Sequence, residues 1–531
     1  MEINIDSIRV LIADYTGFSQ LTKFLFFSGG IVLLATIAIL CCIHRRKAVS
    51  AMRLSIGWMR NYCMQTARQI KASKVKHLLL VSLLLYIYAA FTLPVTHDEA
   101  LTYLHYLTCP VWNTMMYYTM PNNHVLFSLI EHVFILPPGD LLFKMRLPVV
   151  LISVLTLVFA YRFVRKYYGE KVALTLVAVM SMSGMFLFYS VLARGYCLVL
   201  LFFVLCLYAG FNIVNNNNRR RDWIAFALGG ALGMYAVPTF LYAFVAINIY
   251  ILIYNYKNIK QQFVYGVGML VGCNFLYLPV LLGSGWQSLL KNPHVNPISS
   301  DKLFAKLPDF FAETIESLFA FPPYATLTVI VFSIAFCLVR KDWKIVLLWI
   351  IFCATPLLFV ILQSVIPFSR TFVYCTVAIV FLVGVTFREN INKVPLKTLF
   401  PALLVIQILL FINFKQQLSL YLAPLATYEN FAKEYLKSGR THHIVGKEWS
   451  ATGLYYIEPN LKFEAARTGD FEVTATFVKE IDADTISGYD YIFVQSDLDK
   501  TKTRRPTSIY LPDSIENYFL KSPIHIYRGK E

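Results

Sequence analysis

Long apolar runs separated by short polar connections dominate this chain. Runs of about 18 residues or more recur over roughly three-quarters of it, each long enough to cross about 30 Å of hydrocarbon. The pattern predicts spans near 22–43, 78–95, 147–163, 172–190, 196–214, 223–237, 238–256, 262–283, 322–339, 345–363, 371–387 and 397–414, about twelve in all. Residues 96–146 form a large loop after the second span. In it Ala100, Tyr103, Leu104 and Leu107 recur at helical spacing and predict a short helix along the interface. A second helix starts near Asn122-Asn123-His124, with Val125, Leu126, Leu129, Ile130 and Val133 on one side, and stops at Pro137-Pro138-Gly139.

Another long loop runs from Gly283 to Phe321, and a short one, Gln363 to Arg370, precedes a later span. Past residue 414 the composition turns charged. Strand-like runs at His443–Val445, Tyr491–Gln495 and Ile524–Tyr527 and a helix-like run near Tyr428–Leu436 predict a small α/β domain of about 110 residues. Three regions follow: a first span with a basic cytoplasmic surface segment over 1–76, a transmembrane domain over 77–414, and an outer domain over 415–531.

Composition agrees with the pattern. Of 531 residues, 57% are apolar and 15% charged, far from the balance of a soluble chain. The net charge of +17 does not indicate nucleic acid, because the basic residues sit in alternate short connections: Arg162, Arg165 and Lys166; Arg219-Arg220-Arg221; Lys257 and Lys260; Arg340-Lys341 with Lys344; Arg388 and Lys393. That is the positive-inside pattern, and it puts both chain ends and residues 96–146 outside. The segment 44–76, with Arg53, Arg60, Arg68, Lys71 and Lys74, reads as lying on anionic lipid. The ten cysteines fall mostly inside apolar runs, so they form no disulfide framework. No cleavable signal peptide is expected, since the first apolar run is too long for one.

The candidate chemistry gathers where spans meet the outer loops. Asp98 and Glu99 lie directly after a span that ends at Pro94, at the hydrocarbon edge where a carboxylate is tolerable but needs a reason. Thr96-x-x-Glu99 is also a capping-box pattern, which accounts for Glu99 equally well. A carboxylate near hydrocarbon tends to be a stronger base than in water, which suits deprotonation of a hydroxyl. Asn123 and His124 open the second loop helix, as a cap or as ligands for phosphate or sugar. Arg194, before Gly195-Tyr196, is off-pattern on the outer side; it snorkels at the headgroup level or binds a phosphate, and Arg370 poses the same choice. Lys144 and Arg146 read as interfacial anchors. Asp98, Glu99 and His124 could together hold a divalent cation, although hard cations usually take more oxygen ligands than these supply. No other cofactor is indicated.

The acidic pair in the first large outer loop, the Asn-His element, and Ala193-Arg194-Gly195-Tyr196 at a later span resemble the GT-C glycosyltransferases. The bacterial protein O-mannosyltransferase and aminoarabinose transferase branch is the nearest in pattern, over roughly residues 78–390. The family usually has His-Pro where this chain has His124-Val125. The resemblance implies a GT-C membrane fold in the bacterial inner membrane, with the active site on its extracytoplasmic face. It implies transfer of a sugar from a polyprenyl-phosphate donor to a hydroxyl of a glycan, lipid or protein acceptor. Asp98 would be the catalytic carboxylate with Glu99 its neighbour, and Arg194, with Tyr196, Asn123, His124 and Arg370 about it, would meet the donor. A single carboxylate at the attacking face suits inversion by one displacement. A surface-polysaccharide ligase or polymerase would lean on outer arginines and histidines rather than on an acid pair. A lipid-linked sugar transporter would carry ionisable groups within its spans.

Overall fold

Apolar runs with no water to satisfy their backbone must close their hydrogen bonds internally, so they become helices. The computed structural model describes residues 64–118, 122–215, 218–285, 288–289, 297–436, 439–447, 454–469, 471–478, 489–495, 515–517 and 522–528. The span expected at 22–43 and most of the basic segment lie outside the described residues. The helices used below are α1 (Val75–Thr92), α2 (His97–Thr102), α3 (Val111–Met116), α4 (Val125–Phe134), α5 (Leu141–Tyr168), α6 (Glu170–Ser181), α7 (Gly184–Phe188), α8 (Tyr196–Asn215), α9 (Arg220–Ala236) and α10 (Phe240–Tyr254). They continue with α11 (Ile259–Gly283), α12 (Ser300–Phe319), α13 (Pro323–Val339), α14 (Trp343–Gln363), α15 (Val373–Thr386), α16 (Arg388–Lys393), α17 (Leu396–Tyr435) and α18 (Leu454–Thr468).

Among the described residues seven helices are long and apolar enough to span a membrane, or eight if α12 and α13, bent by 86°, count as one. Of the about twelve expected spans, 22–43 lies outside the described residues, and three others fall short of that measure for local reasons. The run at 172–190 breaks at Met182-Ser183 into α6 and the five-residue α7. The runs at 223–237 and 238–256 form α9 and α10, of 17 and 15 residues, separated at Pro238.

Inside the bundle an aromatic cluster ties four helices: Phe163 to Phe211 at 5.0 Å, Phe211 to Tyr250 at 5.0 Å and Phe163 to Phe381 at 5.2 Å between ring centroids. A polar knot links three others. Gln407 Nε2 donates to Ser82 Oγ (3.0 Å) and Ser181 Oγ (2.9 Å), and Tyr86 donates to the Ser181 carbonyl (2.8 Å). Basic connections that are far apart in sequence meet at one end of the bundle. Arg388 pairs with Asp342 at 2.6 Å, Lys344 reaches Asn215, and Lys171 donates to the carbonyls of Asn392 and Val394. The loop of residues 96–146 gathers at the opposite end.

The C-terminal region is an α/β unit. Its strands β1 (Thr441–Lys447), β2 (Glu472–Val478), β3 (Tyr491–Gln495), β4 (Ile515–Asn517) and β5 (Ser522–Arg528) form a sheet in the order β2-β1-β3-β5-β4. β1 runs parallel to β2 and β3, whereas β5 runs antiparallel to β3 and β4. The expected strand-like runs fall within β1, β3 and β5. The helix-like run near 428 is the far end of α17, which continues unbroken across residue 414. α18 fastens this unit to the acidic loop: Asn460 Nδ2 donates to the Val95 carbonyl (3.0 Å), Phe463 meets Tyr103 edge-on (5.4 Å), and Arg467 Nε bonds Asp140 (2.6 Å).

Candidate active site

Pro94 ends α1, and the chain turns at once into α2. Thr96 is extended and caps that helix: its hydroxyl accepts from the Glu99 N–H (3.3 Å), and Glu99 Oε2 accepts from the Thr96 N–H (2.9 Å). The capping box is therefore formed, and Glu99 does more besides. It is fully buried, and its Oε1 accepts from Arg146 Nε (2.8 Å) and from the Ala193 N–H (2.8 Å), while Oε2 takes Arg146 Nη2 (2.7 Å). Burial pushes the Glu99 carboxyl up, but Arg146 and the backbone donors outweigh it and hold it below the usual carboxylate range.

Arg146 corrects an expectation. It is not an interfacial anchor; no part of it is exposed. Its remaining donors satisfy the carbonyls of Ala90 (3.0 Å), Leu93 (2.7 Å) and Pro94 (2.8 Å), which the end of α1 leaves without helical partners. Lys144 does hold a terminus, donating to the carbonyls of Ile135 (3.0 Å) and Pro137 (2.9 Å) beyond α4.

Asp98 points the other way. Its Oδ2 accepts from Arg370 Nη1 at 3.0 Å and lies 3.6 Å from Arg194 Nη2. Three residues distant in sequence thus meet at one carboxylate. Arg194 is anchored on its other nitrogen, whose hydrogens reach Thr102 Oγ1 (3.0 Å) and the carbonyls of Asn122 (3.1 Å) and Asp98 (3.4 Å). Arg370 lies over the Phe368 ring at 4.5 Å. Arg194 is buried, but the side chains of Asp98 and Arg370 remain 30% and 34% exposed, so the cluster has one open edge. Burial raises the Asp98 carboxyl, and Arg194 and Arg370 reverse this and hold it well below the usual range. In this state Asp98 is a strong counter-ion and a weak base.

The Asn-His element shapes the floor. Asn123 is buried, and its amide donates to the carbonyls of Thr114 (2.8 Å) and Tyr117 (2.8 Å) while accepting from Ser128 (3.3 Å). Both hydrogens of its amide are spent on the loop, so in this structure Asn123 holds the loop. His124 Nδ1 accepts from the Gly195 N–H at 2.8 Å, which leaves the proton on Nε2, and the ring meets Tyr196 edge-on at 4.9 Å. Burial, followed by Arg194 and Arg370, lowers His124 well below the ordinary histidine range, so the ring is neutral. A Cβ on Gly195 would come within 2.7 Å of His124 Cβ, so only glycine fits this contact.

Asp98, Glu99 and His124 do not fit a cation: both oxygens of Glu99 already accept several donors, and His124 Nδ1 is engaged. Among the described residues no three His, Cys, Asp or Glu side chains cluster as metal ligands. Sequence reasoning misjudged one residue near the site and missed another. Arg146 carried a visible signal, a charge directly before the apolar run of α5. Glu131, fully buried on α4, gave no such signal: in sequence it lies opposite the apolar stripe of that helix, beside Ser128.

Two outcomes test this arrangement. Because Glu99 is more acidic folded than unfolded, its pairing contributes in full above the ordinary glutamate value of about 4.3 and is lost as pH falls through the lower folded value. Glu99→Gln therefore costs about 3–5 kcal/mol at pH 7, by leaving Arg146 uncompensated. The gap from wild type, read as thermal midpoint, narrows as pH falls below about 4; a gap that is constant with pH would contradict the pairing. Gly195→Ala forces His124 off the turn and costs about 1–3 kcal/mol, whereas an unchanged midpoint would show that the contact is slack.

Residues 125–282 match the family described as dolichyl-phosphate-mannose-protein mannosyltransferase. No curated protein matches the chain significantly. Among solved structures, ArnT from Cupriavidus metallidurans in the apo state superposes with a TM-score of 0.56 at 11% identity, covering 85% of this chain and 97% of that one. ArnT from the same organism bound to undecaprenyl phosphate gives 0.53 at 10% identity, with the same coverage. The chain is thus a multi-pass membrane protein with a fold similar to that of ArnT, and it carries a stretch that the mannosyltransferase family matches.

Proposed function

We propose that this protein is a membrane glycosyltransferase that takes a sugar from a polyprenyl-phosphate donor and passes it to an acceptor hydroxyl on the extracytoplasmic face of the bacterial inner membrane. The observation that carries this reading is the half-exposed Asp98 carboxylate facing Arg370 and Arg194, at the bundle end opposite the basic connections. Two guanidiniums beside one open edge suit a phosphate, and a carboxylate between them suits an attacking alcohol. The undecaprenyl phosphate held by the similarly folded ArnT and the match to a mannosyltransferase family support a lipid-linked donor.

In this reading the acceptor oxygen bonds to the anomeric carbon as the bond from that carbon to the phosphate oxygen breaks. The hydroxyl proton passes to Asp98, and the electron pair leaves on the lipid phosphate, where Arg194 and Arg370 stabilise the growing charge. One displacement inverts the anomeric centre. The clamp on Asp98 then has a purpose. Without donor, the arginines keep the carboxylate too acidic to accept a proton. A donor phosphate competes for the same guanidiniums and returns basicity to Asp98 only when there is a sugar to transfer. Glu99 and His124 act at one remove, fixing α2 and the Gly195 turn.

Asp98→Asn separates these roles. Turnover of undecaprenyl-phosphate-linked sugars should fall by about 10²–10⁴-fold, the usual contribution of a general base. Affinity for undecaprenyl phosphate should hold or tighten, because the internal competitor for the arginines is gone. Arg370→Ala should weaken that affinity. A normal rate in Asp98→Asn would refute the assignment.

A further inference from the structure

Glu131 is the one fully buried carboxyl among the described residues with both oxygens unpartnered. It stands on the buried face of α4 with Phe127 and Ser128, about two turns beyond His124 and on the same side. That side faces the Arg194-Gly195-Tyr196 turn, since His124 bonds Gly195. The ionisable groups that act on Glu131 are Arg194, Glu99 and the Cys197 thiol. Arg194 has the complementary defect: its Nε is buried and unpartnered, although Nη1 is fully engaged and Nη2 faces Asp98. Two orphaned buried polar groups, one able to accept and one able to donate, thus lie on the side of α4 that meets the Gly195 turn and act on one another electrostatically. Buried polar atoms of this kind are normally satisfied, often through an internal water with two to four polar partners.

We propose that Glu131 is a positioning residue for Arg194: through a buried water its carboxyl holds the inner, Nε edge of the guanidinium and so fixes Nη2 towards Asp98 and the donor phosphate. This rests on the functional reading above and adds a residue to it. Burial, reinforced by Glu99 and opposed by Arg194, raises Glu131 well above the usual carboxylate range, so it holds Arg194 as a neutral acid. A charged acid there would pull Arg194 away from the donor, whereas a neutral one orients it and leaves its charge free. The side chain never touches the reacting atoms.

The test is binding of undecaprenyl phosphate to the full-length protein in detergent. Glu131→Leu should weaken affinity about tenfold, the scale of one charge-assisted hydrogen bond, and Glu131→Gln, neutral and able to accept, should recover it to within about threefold. Thermal stability should hold or rise in Glu131→Leu, because an orphaned buried acid is removed; a merely structural residue would lose stability and leave affinity unchanged. In an Arg194→Lys background, which lacks Nε, Glu131→Leu should have no further effect. Wild-type affinity in Glu131→Leu, failure of Glu131→Gln to recover, or full additivity with Arg194→Lys would each overturn the proposal. Glu131→Met, read through the same cycle, serves if the leucine variant does not fold. Asp98→Asn turnover, measured alongside, separates the two readings: retained turnover sinks the functional assignment, while its loss with normal Glu131→Leu binding sinks only the role of Glu131.

Discussion

The buried pair of Glu99 and Arg146 is the interaction on which the rest of this end of the molecule depends. Neither charge touches water, and each is repaid by several directed hydrogen bonds. Through it the end of α1, the start of α2, the body of α5 and the backbone at Ala193 become one rigid corner. A buried pair of this kind adds little net stability over an apolar substitute. What it contributes is geometry: it fixes where α2 begins, and hence which way the next residue, Asp98, must point.

Adjacent acids thereby acquire opposite roles. Along one turn of helix, neighbouring side chains diverge by about 100°, so a box that turns Glu99 inward turns Asp98 toward the opening. The same division appears in the other two elements of the site. Asn123 is consumed by the loop while His124 supports a turn, and Gly195 is kept bare so that the histidine can reach it. Glu99 beside Asp98 and Gly195 beside Arg194 each fix the backbone that carries a charge into the cluster.

Much of the fold was legible because its physics is one-dimensional. Apolar length marks a span, and α1, α8, α14 and α15 lie close to the runs that announced them. Where length is shared between short pieces, as at α6 and α7 or at α9 and α10, the pattern overstates the span. The break depends on packing against neighbours that periodicity does not register. The candidate site was legible in its parts but not in its pairings. Asp98, Arg194 and Arg370 stood out as charges at membrane edges. That they share one carboxylate oxygen is a property of the folded bundle, 272 residues apart in sequence for the outer pair. Arg146 was misjudged for the same reason: a cation near the end of an apolar run looks alike whether it snorkels to the surface or turns inward to a carboxylate.

The length of α17 carries its own consequence. Forty helical residues extend about 60 Å, roughly twice the hydrocarbon thickness. One helix therefore runs past the hydrocarbon into the C-terminal unit, and α18 bridges from that unit to the Val95 carbonyl. The sheet is thus tied to the rest of the chain twice, by the far end of α17, where Phe431 packs edge-on against Tyr491, and by α18 beside the start of α2.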